Sequence, residues 1–231
     1  MPTLHNQGCM MRLGLTQKLT RIRSGKFIEK YAFDGPVLDV GGASAPFRTW
    51  FPRIQSLDIS PDRGADIIGD AHDMHMIADA SYDVVLCTSV LEHCIDPKKV
   101  LGEIRRILKN DGRLILSVPF IFPIHDAPHD YWRFTKFGLY HLLEDFEIEE
   151  FVEDMNTVET MGYMFHRLYL QTGKKLSFFI RPMALMLSKF CYLLPKNILG
   201  KEYGDAKRGY ELNGSILVAD YLVCARKSDK N

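Results

Sequence analysis

Val37-Leu38-Asp39-Val40-Gly41-Gly42-Ala43-Ser44-Ala45 is the stretch that decides the fold. A short apolar run stops at two glycines, and only small side chains follow. The run reads as a buried strand. The small residues mark a place where backbone must come close to a ligand, because larger side chains would block the approach. In open α/β sheets ligands sit beyond the carboxyl ends of the strands. A pair of glycines alone would serve a tight turn equally well, so the rest of the chain has to choose.

Strand and helix patterns alternate on both sides of this stretch. Residues 54–59, 82–87, 113–118, 147–152 and 220–225 read as strands, several of them rich in β-branched residues. Residues 97–109 read as a helix with one apolar stripe: Val100, Leu101, Ile104, Ile107 and Leu108. Asp96 suits its N-cap and Pro97 its first helical position. Asn110-Asp111-Gly112 turns the chain into the next strand, and 135–143 reads as a further helix. This alternation implies an α/β fold, a mostly parallel sheet with helices on both faces. A single domain is expected: a helical cap over 1–34, the core over 35–152, a helical insert or lid over 153–219, and a last strand and tail over 220–231. Within the insert, Met161, Met164, Phe165 and Leu168 form a helical stripe. In 15–31, Leu15, Leu19 and Ile22 fall at helical spacing, with Lys18, Arg21, Arg23 and Lys26 on other faces.

Lys plus Arg and Asp plus Glu each total 29, so the formal net charge is zero. Nucleic-acid binders usually carry a basic excess, and none is present. Five cysteines with no C-x-x-C pair argue against a disulfide framework or a cysteine zinc site, and a reducing cytoplasm fits them. No long apolar segment marks a signal peptide at the N-terminus. Residues 176–199 are apolar but broken by Arg181, Pro182, Lys189, Pro195 and Lys196, so no membrane span is expected. They read as a lid or extra helices completing the core. The alternative is a patch making peripheral contact with the inner face of a membrane.

Two acidic positions extend the ligand reading. Asp58, in Leu57-Asp58-Ile59, ends the second strand, where a carboxylate can accept hydrogen bonds from ribose hydroxyls. Asp70, in Gly69-Asp70-Ala71, could meet an adenine amino group. Together with the glycine stretch, these segments resemble the class I S-adenosylmethionine-dependent methyltransferases of the methyltransferase type 11 group. VLDVGGASA resembles the glycine-rich motif, LDIS the acidic second-strand motif and GDAHDM the adenine-side motif. YDVVLCTSVLEHCIDP and LKNDGRLILSVP resemble the fourth- and fifth-strand motifs, and EIEEFVED with DYLVCARK the hairpin-like ending of the sheet. The resemblance runs over about 37–120 and implies a Rossmann-like sheet and S-adenosylmethionine as cofactor. It implies that Gly41, Gly42 and Ala43 line the methionine and ribose side, that Asp58 holds the ribose, and that Ile59 packs on adenine. Asp70 and Ala71 would flank the adenine rim, Ser89 would lie near the methionine portion, and Asp39 near its ammonium. His93, in LEH, resembles the histidine beside the cofactor pocket, although packing at a helix start explains it equally. Ala43 and Ala45 replace two glycines of the usual D-x-G-x-G-x-G pattern.

G-x-G-x-x-G is absent, which disfavours a nicotinamide dehydrogenase. CTSVLEH is not the N/D-P-P-Y/F sequence of methyltransferases acting on nucleic-acid bases. The expected activity is O-methylation of a small molecule, sugar or lipid-linked intermediate, with a non-catalytic S-adenosylmethionine-binding scaffold as the alternative. PHDYWRFT resembles a segment common in type 11 proteins associated with sugar and envelope biosynthesis, which points to a small-molecule or glycan substrate. An alcohol acceptor needs a base, and histidine titrates near neutrality, at about 6.5. His129 and His125, which follow the fifth strand, are the candidate bases, with Asp130 to orient one of them. Tyr131 and Arg133 are candidate substrate contacts. These same residues could equally brace a loop. His125, Asp126, His129 and Asp130 invite a metal, but Pro128 interrupts any helix that would align them, and no metal is expected there.

Overall fold

The computed structural model describes residues 16–42, 47–172, 177–194 and 215–228. The expectations at Ala43, Leu15 and 195–199 lie outside these residues. The strands are β1 (Val37–Val40), β2 (Ile54–Asp58), β3 (Ile67–Ile68), β4 (Tyr82–Thr88), β5 (Leu108–Pro119), β6 (Phe146–Asp154) and β7 (Asp220–Lys227). The helices are α1 (Thr16–Glu29), α2 (Pro97–Ile107), α3 (Lys136–Leu142), α4 (Thr157–Gln171) and α5 (Ser177–Leu193). The strands make one sheet in the order β3-β2-β1-β4-β5-β7-β6. β1 to β5 run parallel, and β7 slots antiparallel between β5 and β6. The mostly parallel sheet and its antiparallel ending both match the sequence reading. Two-residue β3 lacks any run long enough to be read as a strand.

Central strands are continuously apolar because both of their faces are covered. On β4, Val84 and Leu86 pack with Phe27 and Ile28 of α1 and with Phe51. Val85 and Cys87 point the other way, to Val100, Leu101, Ile104 and Ile107 of α2. The Asp96 side chain caps α2 by accepting from the Lys99 N–H at 3.0 Å, and Pro97 follows it, as expected. α2 stops at Ile107, two residues short of the expected end at Lys109. Leu108 leaves the helix and pairs with Tyr82, so β5 extends back through Asn110-Asp111-Gly112 with an irregular register.

The insert does form helices, and the stripe on α4 faces inward only in part, with Met164 packed against the cluster of Met155, Tyr163 and Ala219. Met161 and Leu168 are exposed, while Val158, Gly162, Tyr163 and His166 are buried. The reason lies at Gly162, where a Cβ would stand 3.1 Å from Cys191 Cβ and 3.2 Å from Ser188 O of α5. The close approach of α5 there, rather than the number of apolar residues, selects the buried face.

The sheet order reverses between β1 and β4. In open α/β sheets a ligand crevice lies at such a switch point, beyond the strands' carboxyl ends. Asp39, Gly41, Asp58 and Ser89 all lie at or just past those ends.

Candidate active site

Two cavities open at this edge. The first, a glycine-side cleft of about 750 Å³, is lined by Gly41, Asp58, Ile59, Asp70, Ala71, Ser89, His93, His129 and Tyr131, among others. The second, of about 430 Å³, is lined by Glu92, His93, His125, Asp154, Tyr163 and Asp220, among others. They share Ser89, His93 and Asp126.

In the cleft, Gly41 has φ of +72°, and a Cβ there would stand 2.5 Å from Val90 Cγ2. Glycine is required on both counts. A Cβ on Gly42 would collide with the Asp39 carboxyl group beneath it. Asp39 is buried, and neither of its oxygens has a hydrogen-bond partner among the described residues. Burial pushes its carboxyl up to about 7. Asp58 closes β2, where one carboxylate oxygen accepts the Ser60 N–H at 2.8 Å. Its other oxygen lies 3.8 Å from Arg63, and Ile59 beside it is exposed. Burial alone would raise the Asp70 carboxyl, but the His72 backbone N–H at 2.9 Å and the His72 ring at 2.7 Å hold it below its ordinary value.

These features fit S-adenosylmethionine. An unpartnered carboxylate lies under the loop where a cationic tail would pass. A carboxylate with spare acceptor capacity stands at the ribose position, and an open apolar side chain stands beside it. Asp39 does not itself line the cleft; its carboxyl group sits under Gly42.

The second cavity is assembled from distant parts of the chain. The loop after β5 docks on the turn after β4: the Tyr131 and Trp132 N–H groups donate to Glu92 O at 2.8 and 3.2 Å. Trp132 Nε1 donates to Cys94 O at 2.8 Å, and His93 Nδ1 contacts His129 O at 2.6 Å. Arg133 grips Asp130 with two bonds of 2.6 and 2.7 Å and also reaches Phe122 O and Pro123 O. This grip holds the Asp130 carboxyl well below the usual carboxylate range. Asp130 further accepts the His125 N–H at 2.9 Å.

The candidate residues therefore separate into groups. His125 faces the second cavity, whereas His129 and Tyr131 face the cleft and join each other at 2.9 Å. Asp130 and Arg133 are engaged with each other and with the loop backbone, the bracing arrangement that the sequence also allowed. Three carboxylates went unread. Glu92 is fully buried with neither oxygen hydrogen-bonded among the described residues, and burial pushes it up to about 8. Burial likewise pushes Asp220 up to about 7. Asp154 pairs with Arg23 at 3.1 Å. A charged residue within LEH, next to an apolar strand, was the available signal for Glu92. No signal marked Asp220 or Asp154.

Residues 38–116 match the family described as a methyltransferase domain. An uncharacterized protein of Methanocaldococcus jannaschii is 42% identical over 76 residues, which cover 32% of this chain and 32% of that one. The human thiol S-methyltransferase TMT1B is 38% identical over 68 residues, 29% of this chain and 26% of its own length. The matches thus span about a third or less of these curated relatives. A SAM-dependent methyltransferase from Archaeoglobus fulgidus shares the fold, with a TM-score of 0.53 at 18% identity, covering 91% of this chain and 94% of that one. The cyclase SpnF shares it too, with a TM-score of 0.56 at 16% identity, covering 94% and 83%. Residues 38–116 thus match a methyltransferase domain, and the chain as a whole shares the fold of solved methyltransferases.

Proposed function

We propose that the protein transfers a methyl group from S-adenosylmethionine to a hydroxyl or thiol of a small molecule held in the second cavity. The observation that carries this reading is the shared wall of Ser89, His93 and Asp126 between the two cavities. A donor in one cavity and an acceptor in the other would meet there. S-Adenosylmethionine supplies a methyl group already activated on sulfonium. The chain's own task is then alignment, which for ideal positioning contributes as much as about 7–11 kcal/mol. Asp58 accepts the ribose hydroxyls, Ile59 and Ala71 pack against adenine, and Asp70 meets its rim. Gly41 and Gly42 let backbone approach the tail, above the Asp39 carboxylate. In the second cavity Glu92, His93 and His125 are the groups that assist loss of the acceptor's proton. His129 and Tyr131 border the cleft mouth.

Oxygen acceptors, including sugars and lipid-linked intermediates, follow from the PHDYWRFT resemblance. Sulfur acceptors follow from the thiol S-methyltransferase relative. A cytoplasmic location with peripheral membrane contact belongs to the lipid-linked case. It is supported by α5, where Phe179, Met183, Met186, Phe190 and Leu193 are exposed at helical spacing. No helix among the described residues is long and apolar enough to cross a membrane. Flotation with anionic vesicles tests the contact, and failure to float removes it.

The deciding experiment incubates the protein with methyl-labelled S-adenosylmethionine and fractions of host-cell small molecules, alongside calorimetry with S-adenosylhomocysteine. Label in a small-molecule product is expected, and its linkage names the accepting atom. Tight cofactor binding without label transfer to any fraction would return the protein to a non-catalytic scaffold.

A further inference from the structure

Glu92 belongs to the turn after β4 and His125 to the loop after β5. Docking of that loop brings Glu92, His93 and His125 together, with one ligand atom of each lying within 4.8 Å of the others. Glu92 Oε1 is 3.9 Å from His93 Nε2 and 4.0 Å from His125 Nε2. All three side chains line the second cavity.

The outer nitrogens of both rings face oxygen acceptors. His93 Nδ1 lies 2.6 Å from His129 O. His125 Nδ1 lies 3.2 Å from Pro123 O and 3.4 Å from Asp130 Oδ2. Arg133 Nη2 is also 3.5 Å from that nitrogen, but its two hydrogens serve Asp130 at 2.7 Å and Pro123 O at 3.1 Å. Each Nδ1 therefore carries the hydrogen, and each Nε2 turns a lone pair inward. Facing them is a fully buried carboxylate with neither oxygen hydrogen-bonded among the described residues. Two ring nitrogens and one carboxyl group converge at 3.9 and 4.0 Å, too far apart to hydrogen-bond to one another and spaced to close on a cation. Histidines tied through Nδ1 to carbonyl or carboxylate oxygens are also how metal-binding imidazoles are oriented.

We propose that Glu92, His93 and His125 bind one divalent transition-metal ion in the wall of the second cavity. Two imidazoles and one carboxylate suit zinc, cobalt or iron and not magnesium, which prefers oxygen ligands. Donors around a tetrahedral ion with bonds of about 2.0–2.1 Å stand roughly 3.3 Å apart, so each side chain closes by less than about 1 Å. A fourth position faces the cavity. If the proposed function holds, the acceptor's oxygen or sulfur would take that position and release its proton to solvent; the anion would then bond to the methyl carbon as the carbon–sulfonium bond breaks and S-adenosylhomocysteine leaves. The ion's charge then does what a base would otherwise do.

The test strips the full-length protein with a chelator, then titrates it with zinc sulfate by calorimetry and with cobalt chloride by visible absorption. One saturable ion per chain is expected, with cobalt bands of low coordination number. Glu92→Gln and His125→Ala should each weaken zinc binding at least about tenfold. His129→Ala should leave it unchanged, because that residue enters only through its backbone oxygen. Absence of saturable binding, or equal affinity in both ligand variants, overturns the inference. Should Glu92→Gln fail to fold by circular dichroism, His125→Ala decides alone. S-Adenosylhomocysteine affinity is measured on the same samples. Absence of metal binding by the unmutated protein with the nucleoside still bound sinks only this site, and metal binding without nucleoside binding sinks only the proposed function.

Discussion

The glycine-side cleft and the second cavity share a wall but are built in different ways. The cleft is local: Gly41, Asp58 and Asp70 each follow directly from a strand end, and short backbone or neighbour contacts fix them. The second cavity is long-range. Its walls come from the β4 turn, the β5 loop, α4 and β7, held by the Arg133–Asp130 clamp and by the loop's bonds to Glu92 O. Local construction suits a ligand that is the same throughout a family. Long-range construction lets the acceptor site change by altering loops while the strand ends stay as they are.

Substitutions that damage one region and spare the other test this contrast. The largest effect is expected from His125→Ala, which should lower turnover by about a hundredfold or more while S-adenosylhomocysteine affinity stays the same. His129→Ala, across the wall, should lower turnover less. Steady-state kinetics on the two variants checks the order, and the opposite order would move the chemistry to the cleft mouth. Asp58→Ala should do the reverse of His125→Ala. Hydrogen bonds to a charged acceptor contribute about 1.5–3 kcal/mol each, so cofactor affinity should fall at least about tenfold by calorimetry. Unchanged affinity would remove Asp58 from the ribose role.

A smaller effect follows from Gly41→Ala. Its positive φ and the nearness of Val90 should cost about 1–3 kcal/mol of stability, read from urea melts. A cost near zero would mean that the loop relaxes freely.

A further effect is in pH dependence. Burial holds Asp39 at about 7 in the folded protein, against about 3.9 in an unfolded chain. A raised carboxyl favours the fold below its unfolded value, and that contribution is lost as pH rises through the folded one. Asp39→Asn should therefore flatten the fall in stability between about pH 4 and pH 8. Asp220 and Glu92, also raised by burial, keep part of the slope. Melts at both pH values with an unchanged slope would show that Asp39 stays solvated.

Much of the fold was legible because its signals are local. β1, β2, β4 and the cap of α2 follow from apolar runs, Gly41-Gly42 and Asp96-Pro97. β3 was not, since two residues make no pattern. The face of α4 was misread in part because Gly162, a residue without a side chain, sets the contact with α5. In the site, every cleft position named from sequence and described here lines the cleft except Gly42, which borders it, and Asp39, which lies underneath. On the other side only His93, His125 and Asp126 were named among the second cavity's titratable groups. Asp130 and Arg133, read as catalytic and substrate groups, spend their charges on each other.

The sequence by itself determined the alternating sheet, the glycine turn and the carboxylates at the strand ends, because strand period, glycine freedom and capping act over a few residues. Only the tertiary structure decided that Glu92 meets His93 and His125, and that Asp220 and Asp154 join their cavity. Those meetings depend on one loop folding back onto a turn far away in the chain. Hydrogen bonds from Tyr131, Trp132 and Arg133 fix that path, and no pattern of residue types along the sequence encodes it.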